Sequence, residues 1–170
     1  MLFDRPMHVH YGFIWLSPEG RLDELADLDP FVGQVNGLCG AALPGILSMY
    51  TGLHTGAVPL RVVVVDESPP LGDAEDIVEV SFRPTESVLM LVAFHDGEEI
   101  SLPLRNYRAR WSATAMQAGR DGHTLREWAP APDPDDVCLW PRGHTPARAS
   151  TRQRRHHAPH FAQRDRARVR

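Results

Sequence analysis

Residues 59–66 read PLRVVVVD, and the four consecutive valines at 62–65 settle the class of fold. Branching at Cβ crowds a helix and suits a pleated sheet, so this is a strand, and four in a row predict one that is central or covered on both faces. On either side of it a period of two recurs. DIVEVSF at 76–82 sets Val78, Val80 and Phe82 against Glu79 and Ser81, one face buried and one wet. VLMLVAF at 88–94 is apolar throughout, ISLPL at 100–104 turns Ile100, Leu102 and Leu104 inward, and a hairpin around Asp96 and Gly97 joins the two. NYRARWSA at 106–113 places Tyr107, Ala109, Trp111 and Ala113 on one face and Arg108, Arg110 and Ser112 on the other.

Toward the N-terminus, HVHYGFIWL at 8–16 reads as one strand with Val9, Tyr11, Phe13 and Trp15 facing the core. Residues 17–30 give a turn and then one or two helical turns bearing Leu22, Leu25 and Leu28, stopped by Pro30. The glycine-broken stretch 36–56 leaves room for a short strand at 46–51, and a last strand is expected at 125–128. Seven to eight short strands at roughly ten-residue spacing, with no long helix, predict an all-β, antiparallel β-sandwich over residues 1–140.

The 170 residues and 19.0 kDa suit one domain. Neither a spanning apolar run nor a signal sequence is visible, which points to the cytoplasm. Cys39 and Cys138 form no CxxC pair, so reduced thiols are expected rather than a disulfide framework or zinc knuckle. All 18 basic side chains are arginine, a signature of GC-rich coding DNA and a pointer to a high-GC bacterial genome.

The formal charge of −4 hides a split: residues 1–140 hold nine arginines and 21 acids, a balance of −12, whereas 141–170 hold nine arginines and one acid, a balance of +8. With Phe161 and Val169 as its large apolar residues, segment 141–170 is expected to be a disordered, Arg/His-rich tail. Such a tail can contact nucleic acid or the acidic body. Its composition is also what GC-rich DNA encodes out of frame, and without interleaved aromatic residues to stack on bases an altered terminus is the preferred reading.

Candidate chemistry is sparse. His8 and His10, at i and i+2, leave one face of a strand as a metal site requires, but YGFIWL comes next in place of a cupin-like glutamate, so they read as polar surface residues and no cofactor is expected. Cys39 among glycines, with His54 as base, could form a hydrolase pair, although nothing in the sequence orients the histidine and a buried thiol is the simpler reading. Asp73, Glu75, Asp76 and Glu79 read as solvated surface. Arg108 and Arg110 could grip an anion or carboxylate, or pair across strands with Glu79; these three are the candidate binding residues.

The stretch 102–122, LPLRNYRARWSATAMQAGRDG, with Tyr107, Arg108 and Arg110, resembles the YRxR strand and glycine-containing turn of small bacterial β-sandwich proteins of the competence-protein ComJ-like kind. PPLGDAEDIVEVSF before it, the order of strands over 8–128, and the Trp-Ala-Pro-Ala-Pro segment at 128–132 fit the same pattern, and the residues after Val137 depart from it. The resemblance implies a nuclease-inhibitor domain. With a body at −12, the expectation is a non-enzymatic protein-binding domain, of inhibitor or immunity type, meeting a basic protein through its acidic surface. The alternatives are a metal- or Cys/His-dependent hydrolase and a nucleic-acid contact through the tail.

Overall fold

A computed structural model describes residues 1–22, 28–121, 135–141 and 151–153. Among them the chain is all-β: β1 (Phe3–His10), β2 (Phe13–Ser17), β3 (Cys39–Gly40), β4 (Leu47–Tyr50), β5 (Thr55–Val64), β6 (Asp76–Phe82), β7 (Val88–Ala93), β8 (Asp96–Ser101), β9 (Tyr107–Ala113), one short helix α1 (Met116–Asp121), β10 (Asp135–Pro141) and β11 (Thr151–Gln153). A six-stranded sheet runs β1-β5-β10-β9-β6-β11 and a five-stranded sheet runs β3-β4-β2-β7-β8.

The valine run lies in β5, inside the larger sheet between β1 and β10. The strand begins at Thr55, earlier than its valines suggest, and Pro59 lies opposite Pro6 of β1. Neither proline has an N–H, so this position can only be one where the ladder needs no donor. On its other side β5 pairs parallel with β10, and this pair departs from the antiparallel expectation. A parallel neighbour has to arrive by a long connection, and β10 enters the sheet after α1 and residues 122–134.

One core takes side chains from both sheets: Met7, Val9, Leu60, Val62, Tyr107, Ala109 and Trp111 of the larger, and Ile14, Leu16, Leu47, Met49, Leu89 and Leu91 of the smaller, all essentially sealed from solvent. Trp111 Nε1 donates to the Tyr50 carbonyl at 3.1 Å, tying the sheets through the core. At one side, Arg5 of β1 reaches Glu98 (3.0 Å) and Asp96 (3.6 Å) of β8.

Several sequence expectations need correction. Residues 8–16 are two strands, not one: Tyr11 (φ 60°) and Gly12 (φ 72°) form a corner that carries the chain from the larger sheet to the smaller. Its backbone is bonded to the loop after β4, Gly12 N–H to the His54 carbonyl and Thr51 N–H to the Gly12 carbonyl, both at 2.9 Å. A Cβ at residue 12 would sit 3.1 Å from the Leu53 carbonyl oxygen. The corner reverses the facing of β2, so Ile14 and Leu16 are buried, Phe13 and Trp15 form a half-buried stack, and Tyr11 is exposed. The hairpin joining β7 to β8 turns at Phe94 and His95, two residues before Asp96 and Gly97, because Asp96 is engaged in its strand, its carboxylate accepting the His8 N–H at 3.0 Å. Leu104 is exposed, since β8 stops at Ser101 before Pro103 and the Tyr107 hydroxyl binds the Pro103 carbonyl (2.9 Å) to form a tight corner. The helical turns expected at 17–30 fall largely on residues 23–27, and the strand at 125–128 wholly on residues outside those described. Of the tail, Pro141 ends β10 and Thr151–Gln153 pair with Val78, Ile77 and Asp76 of β6; the rest lies outside the described residues.

Candidate functional site

The β6 and β9 register sets Glu79 opposite Arg110 and Ser81 opposite Arg108, which gathers the three candidate binding residues on one face. Arg110 Nε donates to Glu79 Oε1 (2.8 Å), Nη1 donates to the carbonyls of Pro69 and Pro70 (2.9 Å each), and Nη2 lies 2.7 Å from Glu79 Oε1 and 3.4 Å from the Ser68 hydroxyl. The Trp140 ring covers its guanidinium at 5.1 Å. Arg108 Nε lies 3.6 Å from Glu79 Oε2, and its Nη1 donates to Ser81 Oγ at 3.3 Å. Both arginines are buried, although the alternation sets them on a wet face. One carboxylate between two guanidiniums, with carbonyls taking the spare donors, is chemistry that locks the 66–75 connection onto the sheet.

A second cluster forms where three connections meet. Tyr11 and the His10 ring are 4.2 Å apart between centroids, Tyr11 and His54 5.1 Å, and His10 and Phe94 4.7 Å. The Thr55 hydroxyl bridges the imidazoles, 2.8 Å from His54 Nδ1 and 3.1 Å from His10 Nδ1. It has one proton, so with neutral rings it donates to one imidazole and accepts from the other, which fixes complementary tautomers. Tyr11 (56%) and Phe94 (52%) remain exposed although both occupy positive φ (60° and 54°), a conformation such residues rarely adopt. Strain of that kind persists where the surroundings over-determine it, and here it holds two aromatic rings outward. Periodicity sets Tyr11 toward the core and Phe94 in a strand; the Tyr-Gly dipeptide at 11–12 is the signal that could have exposed the corner.

His8 is exposed and His10 belongs to the ring cluster. Among the described residues no three His, Cys, Asp or Glu side chains converge as metal ligands. Cys39 is sealed in the core, where burial pushes its thiol pKa well above the usual range, whereas His54 is exposed and its contacts are Tyr11, His10 and Thr55. The structure therefore does not bring this pair together. Of the four acids, Asp76 and Glu79 are held in β6 and Asp73 and Glu75 lie on the connection before it. A buried acid that sequence reading passed over is Asp135, which accepts the Thr114 N–H at 3.0 Å; burial raises its carboxyl pKa to about 7.

With this geometry in view, comparison with known proteins turns on the fold. No family model matches the chain, and no curated protein does. Among solved structures, crocagin biosynthetic gene J aligns over 84% of this chain and 98% of its own, at 10% identity and a TM-score of 0.54. This chain has a similar fold. ComJ of Bacillus subtilis, described as an inhibitor of the DNA-degrading activity of NucA, aligns over 83% of this chain and 97% of its own, at 15% identity and a TM-score of 0.47. The weak ComJ-like resemblance read from residues 102–122 is matched at the level of fold by solved structures. Among the described residues no helix is long and apolar enough to cross a membrane.

Proposed function

We propose that this chain is a non-enzymatic protein-binding domain of inhibitor or immunity type, its two sheets facing each other as a sandwich and its acidic body meeting a basic partner. The observation that carries the reading is the exposed pair Tyr11 and Phe94, held at positive φ over the His10, Thr55 and His54 bridge. Rigid, solvent-facing aromatic rings are what protein interfaces use as anchors, since they offer large area at little entropic cost. The balance of −12 over residues 1–140 adds long-range attraction for a basic surface. The corner in which Tyr107 bonds back to Pro103 supports the sandwich, where such corners recur. Arg108, Arg110 and Glu79 serve this reading as a buried ion cluster that holds β6, β9 and the 66–75 connection together. Buried free thiols at Cys39 and Cys138 accord with a cytoplasmic setting.

ComJ's description supplies the partner class to try first, a nuclease, and NucA the first defined probe. Binding of NucA and of other purified basic nucleases to the full chain is measured at about 50 and about 300 mM salt, with a Tyr11→Asn/Phe94→Asn variant as control. Asparagine tolerates positive φ, so the variant keeps the fold while losing both rings. The expected result is a complex that weakens as salt rises and is at least tenfold weaker in the variant. A complex indifferent to both changes overturns the reading.

A further inference from the structure

Beside Tyr107 lies an open groove of about 280 Å³, lined by Leu43, Pro44 and Phe82 and by Ser81, Arg83 and Asn106. In a body with more than two acids per arginine, the groove is lined by no Asp or Glu among the described residues. Arg83 and Asn106 are exposed, and among the described residues neither makes a hydrogen bond or an ion pair. Arg105 adds positive charge nearby, 5.2 Å over the Tyr107 ring, and Arg108, paired with Glu79, donates to the Ser81 hydroxyl at 3.3 Å. The walls are fixed before any ligand arrives. Ala42 N–H bonds the Pro30 carbonyl (3.0 Å), Ile46 N–H the Leu43 carbonyl (3.2 Å), and Gly45, at φ 76°, lies against the Thr85 side chain, which would have to shift for a Cβ there. The other wall is pinned by the Tyr107 hydroxyl on the Pro103 carbonyl and by Arg105 N–H on the same oxygen, both at 2.9 Å.

We propose that this groove binds a small carboxylate that carries an apolar group. The carboxylate pairs with the Arg83 guanidinium, the Asn106 carboxamide donates a second hydrogen bond, and the apolar group lies on Leu43, Pro44 and Phe82. A guanidinium matches a carboxylate bidentately, and a groove of this size, with polar groups beside Leu43 and Pro44, suits a ligand no larger than a single residue. The same chemistry is offered by a free organic acid and by the last residue of a peptide. The site is separate from the aromatic cluster and stands or falls independently of the protein-binding reading.

The test is an amide-resolved NMR titration of the full chain with N-acetyl-leucine, with its neutral amide, with a tripeptide ending in leucine and with inorganic phosphate. The acid is expected to shift amide resonances at 41–43, 45, 81–83 and 106, with the neutral amide at least tenfold weaker. Arg83→Gln is expected to weaken the acid at least fivefold without changing the melting temperature. Tripeptide binding at least as tight as the single residue assigns a peptide terminus, and weaker binding assigns a free acid. The proposal is overturned if acid and amide titrate alike, if phosphate binds as tightly as the acid, if the shifts fall elsewhere, or if Arg83→Gln changes nothing.

Discussion

Glu79 shows how one side chain can decide whether a face is wet. Its carboxylate holds Arg110 at 2.7 Å and approaches Arg108 at 3.6 Å, which turns the polar side of β9 into a buried ion cluster. Removing it strands two guanidiniums away from water, and breaking a buried pair from one side costs about 3–5 kcal/mol. Glu79→Ala is therefore expected to lower unfolding free energy by that order in denaturant melts, with Glu79→Gln intermediate because it can still accept hydrogen bonds. Asp135 makes the opposite case, a carboxyl better buried neutral. Its pKa rises from 3.8 to about 7 on folding, so its contribution is fully present below pH 4 and is lost as pH climbs through 7. Between pH 5 and 8 the loss amounts to about 2–3 kcal/mol at roughly 1.4 kcal/mol per pH unit. Asp135→Asn keeps an acceptor for the Thr114 N–H and should remove this slope. Its stability relative to the parent is expected to improve steadily from pH 5 to 8 in thermal melts, and parallel curves would refute the assignment.

Among the strands and their connections, legibility tracked burial. Residues 76–82, 88–93 and 107–113 alternate or run apolar because a core lies on one side of them, and each is a strand close to where its pattern put it. The illegible parts were set by long-range backbone contacts. Tyr11 and Gly12 interrupt an unbroken alternation because the loop after β4 accepts and donates at that point, and no local pattern encodes a partner some forty residues away. Asp96 and Gly97 have turn chemistry, yet Asp96 is claimed by β1 through the His8 N–H, so the turn moves to Phe94 and His95. Alternation put Glu79 and Arg110 on polar faces and left open whether they pair; the β6 and β9 register sets them opposite one another, whereas the Tyr11, His54 and Phe94 cluster needs three connections to meet. The corner itself can be tested. Gly12→Ala must hold a Cβ at φ 72° and 3.1 Å from the Leu53 carbonyl oxygen. A loss of about 1–3 kcal/mol is expected, with His10, Tyr11 and His54 resonances shifting together because the corner positions all three.

For the whole molecule the decisive contrast is between edge and charge. Among the described residues β11 covers β6 at Val78, Ile77 and Asp76, so the larger sheet ends on a strand that the chain's own C-terminal segment caps. That segment also brings the formal charge from −12 to −4. Ending the chain after Pro141 preserves β10 and the core contacts among the described residues but uncovers the β6 edge and leaves the full negative charge. An uncovered edge offers unpaired N–H and C=O groups to a second copy, while like charge keeps copies apart until salt screens it, over about 10 Å at 0.1 M. The shortened chain is therefore expected to elute as a monomer at low salt and to self-associate as salt and concentration rise, whereas the full chain stays unchanged. Its melting temperature should fall by only a few degrees, since a three-residue ladder holds few hydrogen bonds at about 1 kcal/mol each. Identical elution of both chains at every salt would show that β11 does not guard the edge, and a collapse of the melting temperature would show that the C-terminal segment supports the core itself.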